Sequence, residues 1–228
     1  MNTFTSLTAI AAPLLRENID TDILIRVEPL FAGVPRAELG RHCFASWRYL
    51  PDGTKNPEFP LNHHSYDHAQ ILLAGANFGC GSSREGAVWA LMAMGIRCVI
   101  APSFGDIFFN NCFQNGLLPI RLPQAELENL VQQVQADPGA NRLTVDLRSL
   151  TVCAPDGTII SFHVPALRRE ALLEGLDSIA LTLRRTASIS AFQAMDAQRR
   201  PWIHHLRRSN PKSDNTQGDS HDGQNKPT

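Results

Sequence analysis

The stretch at residues 71–95, ILLAGANFGCGSSREGAVWALMAMG, constrains the fold of this chain more than any other. The apolar run at its start, residues 71–74, has the length and composition of a buried strand. Glycines follow at Gly75, Gly79 and Gly81, where they permit positive φ and a close approach of the backbone to a ligand. The mostly apolar residues 87–94 then have the composition of a buried helix. The sequence therefore predicts a strand, a glycine loop and a helix.

The turn before this helix carries polar side chains. Ser82 and Glu85 have the spacing of a capping box, which predicts that the helix begins here. Free N–H groups and the positive end of the helix dipole then point at the glycine loop, an arrangement that binds anions. Ser83 and Arg84 add a hydroxyl and a guanidinium, and a guanidinium can hold a carboxylate through two N–H groups. A small-carboxylate site is indicated, although ordinary serine capping, taken alone, explains Ser82 better at this point.

Common nucleotide and hydrolase motifs do not fit the spacing. No Gly-Lys-Ser/Thr follows the loop, which excludes a Walker A motif. Arg84 stands where the dinucleotide fingerprint needs its third glycine. Glu85 stands where a nucleophile elbow that begins at Gly81 needs glycine. Spacing alone therefore supports an anion site and nothing narrower.

Several further runs, taken together, resemble a known family. They are NFGCGSSRE at 77–85, VIAPSF at 99–104, GLLP at 116–119, NIDTD at 18–22 and GLDSI at 175–179. Taken in chain order, they resemble the small subunits of the 3-isopropylmalate dehydratase family, which correspond to the mobile fourth domain of aconitase. The similarity covers roughly residues 7–200, and the joint pattern is more specific than any single motif.

The resemblance implies a fold and an activity. The fold is an α/β, swivelling three-layer β/β/α domain over residues 1–208, with a mainly parallel sheet, flanking helices and a second antiparallel layer. The activity is a hydro-lyase that isomerises 2-isopropylmalate to 3-isopropylmalate by dehydration and rehydration, a step of leucine biosynthesis. A large subunit carries the [4Fe–4S] cluster in a heterodimer or higher assembly, and this chain binds no cofactor itself. The expected ligand is a small dicarboxylate substrate.

The resemblance also assigns roles to residues. Ser82 is the catalytic base, which removes the proton α to a carboxylate. The expected substrate-binding residues are Ser83, Arg84, Gly81, Thr21 and Asp22. On residue types alone, residues 18–22 are better explained as a loop with Asx turns, so the roles of Thr21 and Asp22 depend on the resemblance.

The chain also departs from the family pattern. Arg26 and Val27 stand where the family usually has Pro-Lys, and the whole segment 26–41 differs. In related enzymes the loop beyond this point contacts the variable group of the substrate. Gly86 stands where the family commonly has histidine. Two alternatives therefore stay open: a hydro-lyase for another 2-hydroxy diacid or a citraconate-like maleate, and a carboxylate-binding module without chemistry.

The rest of the chain predicts alternating strands and helices. Strands are expected at residues 7–15, 23–25, 98–101 and 117–122, and helices at 105–115, 123–136, 165–174 and 188–198. Strand–helix–strand units with short loops imply right-handed crossovers and a parallel sheet. Residues 142–164 alternate apolar and polar around a Pro-Asp-Gly turn, which indicates an antiparallel layer.

Composition and charge argue against a nucleic-acid-binding, membrane-spanning or secreted protein. A net charge of −1 gives no general attraction to nucleic acid or to anionic membranes, and no apolar run has the length of a membrane span. Residues 1–12 lack the basic start of a signal peptide, so the expected location is cytoplasmic. Residues 209–228 contain no aliphatic or aromatic side chain, which predicts a disordered polar tail.

Cysteine and histidine spacing predicts no metal site on this chain. The five cysteines are dispersed and form no C-x-x-C pair, so an iron–sulfur cluster would have to be held by another chain. His64 and His68 have the spacing of ligands on a helix, but Pro60 and Asn62 indicate a loop there.

Overall fold

The structure, a computed structural model, describes residues 1–81 and 84–205. Met1–Leu181 form one compact unit, and the described residues from Thr182 onward belong to a second. Residues 206–228 lie outside the described residues, so the predicted domain 1–208 and the predicted disorder of 209–228 stay predictions. Among the described residues, no helix is long and apolar enough to cross a bilayer.

One half of the sheet is parallel. It contains β1 (Ser6–Leu14), β2 (Ile71–Ala74), β3 (Cys98–Ala101) and β4 (Leu118–Arg121), in the order β4-β3-β2-β1. Every residue of β2 and β3 is buried, as expected for central parallel strands that helices cover on both faces. The predicted parallel sheet is confirmed.

The other half of the sheet is antiparallel. It contains β5 (Arg142–Asp146), β6 (Thr151–Cys153) and β7 (Ile159–Ser161). β1 joins the halves, because its residues 6–10 pair with β5 and its residues 11–14 pair with β2. Within the described residues the strands thus form one seven-stranded sheet, and the predicted α/β class with an antiparallel part is confirmed.

Helices flank the sheet close to where the sequence predicts them. They are α4 (Glu85–Ala93), α5 (Asp106–Asn115), α6 (Gln124–Ala136) and α7 (Ala166–Glu174). Gly116 ends α5 with φ of 88°, the left-handed conformation that a helix C-terminus commonly adopts at glycine. The apolar stripe of α6 is buried as its spacing predicts, at Leu127, Leu130, Val131 and Val134.

The segment after β1 differs from the prediction. Residues 23–25 are predicted as a strand, but α1 (Thr21–Leu24) is helical. The reason is a local cap, because the Asp20 carboxylate accepts a hydrogen bond from the Ile23 N–H at 2.8 Å and so stabilises the first turn. Two more short helices follow, α2 (Val27–Phe31) and α3 (Ala45–Arg48).

α8 (Ser178–Leu183) contains the boundary between the two units in the sequence. In the second unit, the described residues continue in α9 (Thr186–Arg199) and α10 (Pro201–His205). α9 confirms the helix predicted at 188–198 and extends it by two residues at the start and one at the end.

Candidate active site

The glycine loop lies at the carboxyl end of β2, beside the NIDTD segment that follows β1. Backbone hydrogen bonds join the two segments along their length: Asn18 N–Ala76 O at 2.9 Å, Gly79 N–Ile19 O at 2.7 Å and Thr21 N–Cys80 O at 3.0 Å. Because β1 and β2 are parallel neighbours, their carboxyl ends open onto the same edge of the sheet. The structure therefore brings residues 18–22 and the glycine loop together, while the substrate-binding roles of Thr21, Asp22 and Gly81 stay predictions.

A third loop, which follows β3, packs against the other side of the glycine loop. The Phe78 N–H donates to Ser103 O at 3.1 Å, and the Gly105 N–H donates to Phe78 O at 2.9 Å. The Ser103 hydroxyl accepts from the Asn77 N–H at 2.8 Å. Loops from three adjacent parallel strands thus converge, at the edge where open α/β sheets bind ligands.

Gly79 lies where the structure has no space for a side chain. Its φ is +71°, and a Cβ built there would lie 2.2 Å from Cγ of Phe108. Only glycine satisfies both conditions, because a side chain would be strained by the backbone and would overlap the ring. Gly81, with φ of +90°, is exposed, and a Cβ there would lie 3.4 Å from Asp20 Cβ. The backbone at Gly81 is therefore accessible to a ligand.

The predicted capping box is wrong. α4 begins at Glu85 with Arg84 as its N-cap residue, and the Arg84 side chain makes no capping hydrogen bond. Glu85 is thus the first helical residue and not the third, and its carboxylate accepts from Asn115 Nδ2 at 2.8 Å. The amide of a neighbouring helix competes for the carboxylate that a capping box requires. Ser82 and Ser83 lie outside the described residues, so their predicted roles stay predictions.

Arg84 contacts Asp22. The guanidinium of Arg84 donates to the Asp22 carboxylate, with side chains 24% and 61% exposed respectively. Asp22 thus orients the guanidinium at the edge of the site, since the two groups carry opposite charges. Its predicted contact with the substrate stays a prediction.

Asp22→Asn is expected to lower the free energy of unfolding by less than about 1 kcal/mol, because ion pairs this exposed to solvent contribute little. Denaturant unfolding of the full chain measures the change. Glu28→Gln is the matched control, since it breaks the exposed Arg26–Glu28 pair, in which the atoms lie 3.2 Å apart. A loss of about 3 kcal/mol or more, typical of a broken buried pair, would contradict this expectation.

The sequence analysis missed a polar network that anchors the start of α4. Asn115, the last residue of α5, donates to Glu85 and accepts from the indole N–H of Trp89 at 2.9 Å. A single amide thus fixes two residues on successive turns of α4. No sequence spacing indicates this pairing, because 30 residues separate Asn115 from Glu85.

The described residues do not form a ligand set for an iron–sulfur cluster. Among them, no group of three or more His, Cys, Asp or Glu side chains is arranged to hold a metal ion. Cys98 and Cys112 are fully buried, and burial raises the pKa of both thiols well above the usual value, so neither is a thiolate near neutral pH. The cluster implied by the family does not fit these residues.

Comparisons with known proteins agree with this geometry. The family model of the aconitase C-terminal domain matches residues 1–125, and a second model, LeuD_N, matches residues 128–166. A 3-isopropylmalate dehydratase small subunit from Dinoroseobacter shibae is 53% identical over 204 residues, which cover 89% of this chain and 100% of the relative. The chain belongs to the 3-isopropylmalate dehydratase small-subunit family.

Other members of the family support the same assignment. The small subunit from Brucella anthropi is 52% identical over 203 residues, covering 89% of this chain and 100% of the relative. The crystal structure of a 3-isopropylmalate dehydratase from Methanocaldococcus jannaschii superposes with a TM-score of 0.59 at 27% identity, covering 82% of this chain and 98% of that one. The resemblance in the sequence motifs is therefore confirmed.

Proposed function

We propose that this chain is the small subunit of a two-subunit hydro-lyase that isomerises 2-isopropylmalate to 3-isopropylmalate in leucine biosynthesis. The observation that carries the proposal is the convergence of Arg84, the glycine loop and the start of α4 at one sheet edge, in a chain of this family. Relatives that bear the name 3-isopropylmalate dehydratase favour isopropylmalate over another diacid or a citraconate-like maleate. The site of action we propose is the cytoplasm.

The residues of this chain bind and deprotonate the substrate. The Arg84 guanidinium and the Ser83 hydroxyl hold a substrate carboxylate, while the Gly81 backbone allows the substrate to come close. Thr21, which is buried, supports the loop through the bond from its N–H to Cys80 O. Arg84 thus orients the carbon that loses its proton.

Ser82 acts as the base in this proposal. A neutral serine hydroxyl is a weak base, so its alkoxide needs strong local stabilisation. The positive end of the α4 dipole and the Arg84 cation lie next to Ser82 in the chain and supply that field. Ser82 takes the proton α to a carboxylate, the hydroxyl leaves the adjacent carbon, and an alkene forms. Water then adds to the alkene in the opposite sense, so that the hydroxyl goes to the carbon that lost the proton and a proton goes to the carbon that lost the hydroxyl.

The remaining chemistry belongs to the partner. We assign the [4Fe–4S] cluster to a large subunit, since neither the cysteine spacing nor the described residues provide a ligand set here. When bound, such a cluster supplies a Lewis acid for the hydroxyl that leaves. The small subunit supplies the base and the carboxylate contacts, so neither chain is expected to be active alone.

Reconstitution tests this proposal. The full chain alone is expected to show no isomerisation of 2-isopropylmalate, and adding a cluster-loaded large subunit restores it. Ultraviolet absorbance of the unsaturated intermediate and chromatography of 3-isopropylmalate measure the reaction, with the large subunit alone as control. Turnover by this chain without a partner would contradict the two-subunit proposal. If the complex hydrates citraconate but leaves isopropylmalate unchanged, the proposed substrate is wrong and a citraconate-like maleate takes its place.

A further inference from the structure

Residues of the segment 26–41 pack on one face of α4. Three positions of α4, spaced three and four residues apart and therefore on one face, make the contacts. The Arg36 guanidinium lies 3.6 Å from the centre of the Trp89 ring, and a Cβ built at Gly40 would lie 2.5 Å from Ala93 O. The third of these positions is Gly86, near the start of the helix, where the Leu30 side chain packs on it.

The contact between Leu30 and Gly86 leaves no room for a side chain. A Cβ at Gly86 would lie 2.6 Å from Leu30 Cδ1 and 2.9 Å from Cδ2, both closer than such contacts tolerate. Gly86 is buried, and Leu30 packs against the hydrophobic core. The Leu30 methyl groups thus occupy the space into which a larger residue at position 86 would project.

This contact explains why glycine stands in the first turn of α4. Glycine is unfavourable in a helix relative to alanine, so its presence needs a compensating gain. That gain is the packing of Leu30 against bare backbone, two residues after Arg84. The Leu30 side chain and the lack of a side chain at position 86 therefore fit one another.

We propose that Leu30 is a positioning residue that acts through Gly86: by packing on the first turn of α4, it fixes where Arg84 presents its guanidinium. The first turn is otherwise held by the bond from Asn115 to Glu85. Leu30 and Asn115 thus each contact the first turn of α4. Displacing either side chain moves Arg84, the residue that binds the carboxylate. The kinetic part of this proposal rests on the proposed function, whereas the packing part does not.

A double-mutant cycle tests the pair. Gly86→His and the milder Gly86→Ala are made in the wild-type chain and in Leu30→Ala, and the melting temperature of the full chain is measured. KM and kcat for isopropylmalate are measured in the reconstituted complex. Leu167→Ala replaces Leu30→Ala in a control cycle, because Leu167 is a half-exposed leucine on α7.

Coupling between positions 30 and 86 is the expected result. Gly86→His alone lowers the melting temperature and raises KM about tenfold with a smaller change in kcat, and Leu30→Ala restores most of both. The control cycle with Leu167→Ala is additive. A merely structural role would lower the melting temperature without moving KM.

Additivity overturns the proposal. If Gly86→His and Gly86→Ala each have the same effect with and without Leu30, the two residues do not act together. Failure of the proposed function is distinguishable, because it removes isopropylmalate turnover from the wild-type complex but leaves the melting-temperature cycle intact. If Gly86→His fails to fold in both backgrounds, the Gly86→Ala cycle decides.

Discussion

Replacing Ser82 with alanine is expected to lower kcat by about 10²–10⁴-fold, the usual contribution of a general base, while the complex stays assembled. A helix cap would behave differently, since its loss costs about 0.5–2 kcal/mol of stability and affects turnover little. The structure places the start of α4 at Glu85 with Arg84 in the N-cap position, and Ser82 itself lies outside the described residues. A small change in stability is therefore expected alongside the large loss of turnover.

Ser83→Ala is the matched control, because it removes a hydroxyl from the next residue. Its expected effect is a higher KM with kcat nearly unchanged, since a carboxylate contact is lost and the base is kept. Both variants are measured in the complex with its cluster intact, with circular dichroism of each to verify folding. Near-normal kcat for Ser82→Ala would remove serine from the base role and favour the carboxylate-binding module.

Local patterns predicted the framework of the fold well. The buried strand at residues 71–74 and the end of α5 at Gly116 agree with the sequence, because an apolar run and a glycine stop act through neighbouring residues. The antiparallel part was equally readable, since alternation around the Pro-Asp-Gly turn fixes which side chains face the core. Predictions of this kind depend on nothing distant in the chain.

Features that depend on tertiary partners were predicted poorly. Residues 23–25 are a separate, local case, because they suit a strand as well as a helix and the nearby Asp20 cap decides for the helix. Ser82 and Glu85 have capping-box spacing, but Asn115 donates to Glu85 from another helix. The spacing of neighbouring residues gives no sign of this competition for the Glu85 carboxylate, because Asn115 is distant in the sequence.

The candidate site likewise combines features that could be predicted from the sequence with features that could not. That residues 18–22 and the glycine loop meet was implied by family resemblance, and its physical cause is the parallel pairing of β1 with β2. The ion pair between Asp22 and Arg84 was not predicted, since the two residues are 62 positions apart. The packing of Leu30 on Gly86 likewise became visible only when the space around the glycine was known.

Gly79→Ala is expected to destabilise the chain by about 2–5 kcal/mol, the sum of a left-handed backbone cost of about 1–2 and an overpacking cost of about 1–3. The backbone term arises because φ is +71°, and the overpacking term because the new methyl would lie 2.2 Å from Cγ of Phe108. Phe108 cannot easily move away, since it is buried and its ring packs edge-on against Phe78. Denaturant unfolding measures the loss.

Gly33→Ala separates the two costs. Gly33 has nearly the same φ, +68°, but nothing lies within 4 Å of a Cβ built there, so only the backbone term should appear. The difference between the two variants then measures the overlap with Phe108. Equal losses at both positions would show that the ring yields freely and that Gly79 is required for its conformation alone. A larger loss at Gly79 also predicts weaker substrate binding, because the same residue donates to Ile19 O and joins the two segments of the site.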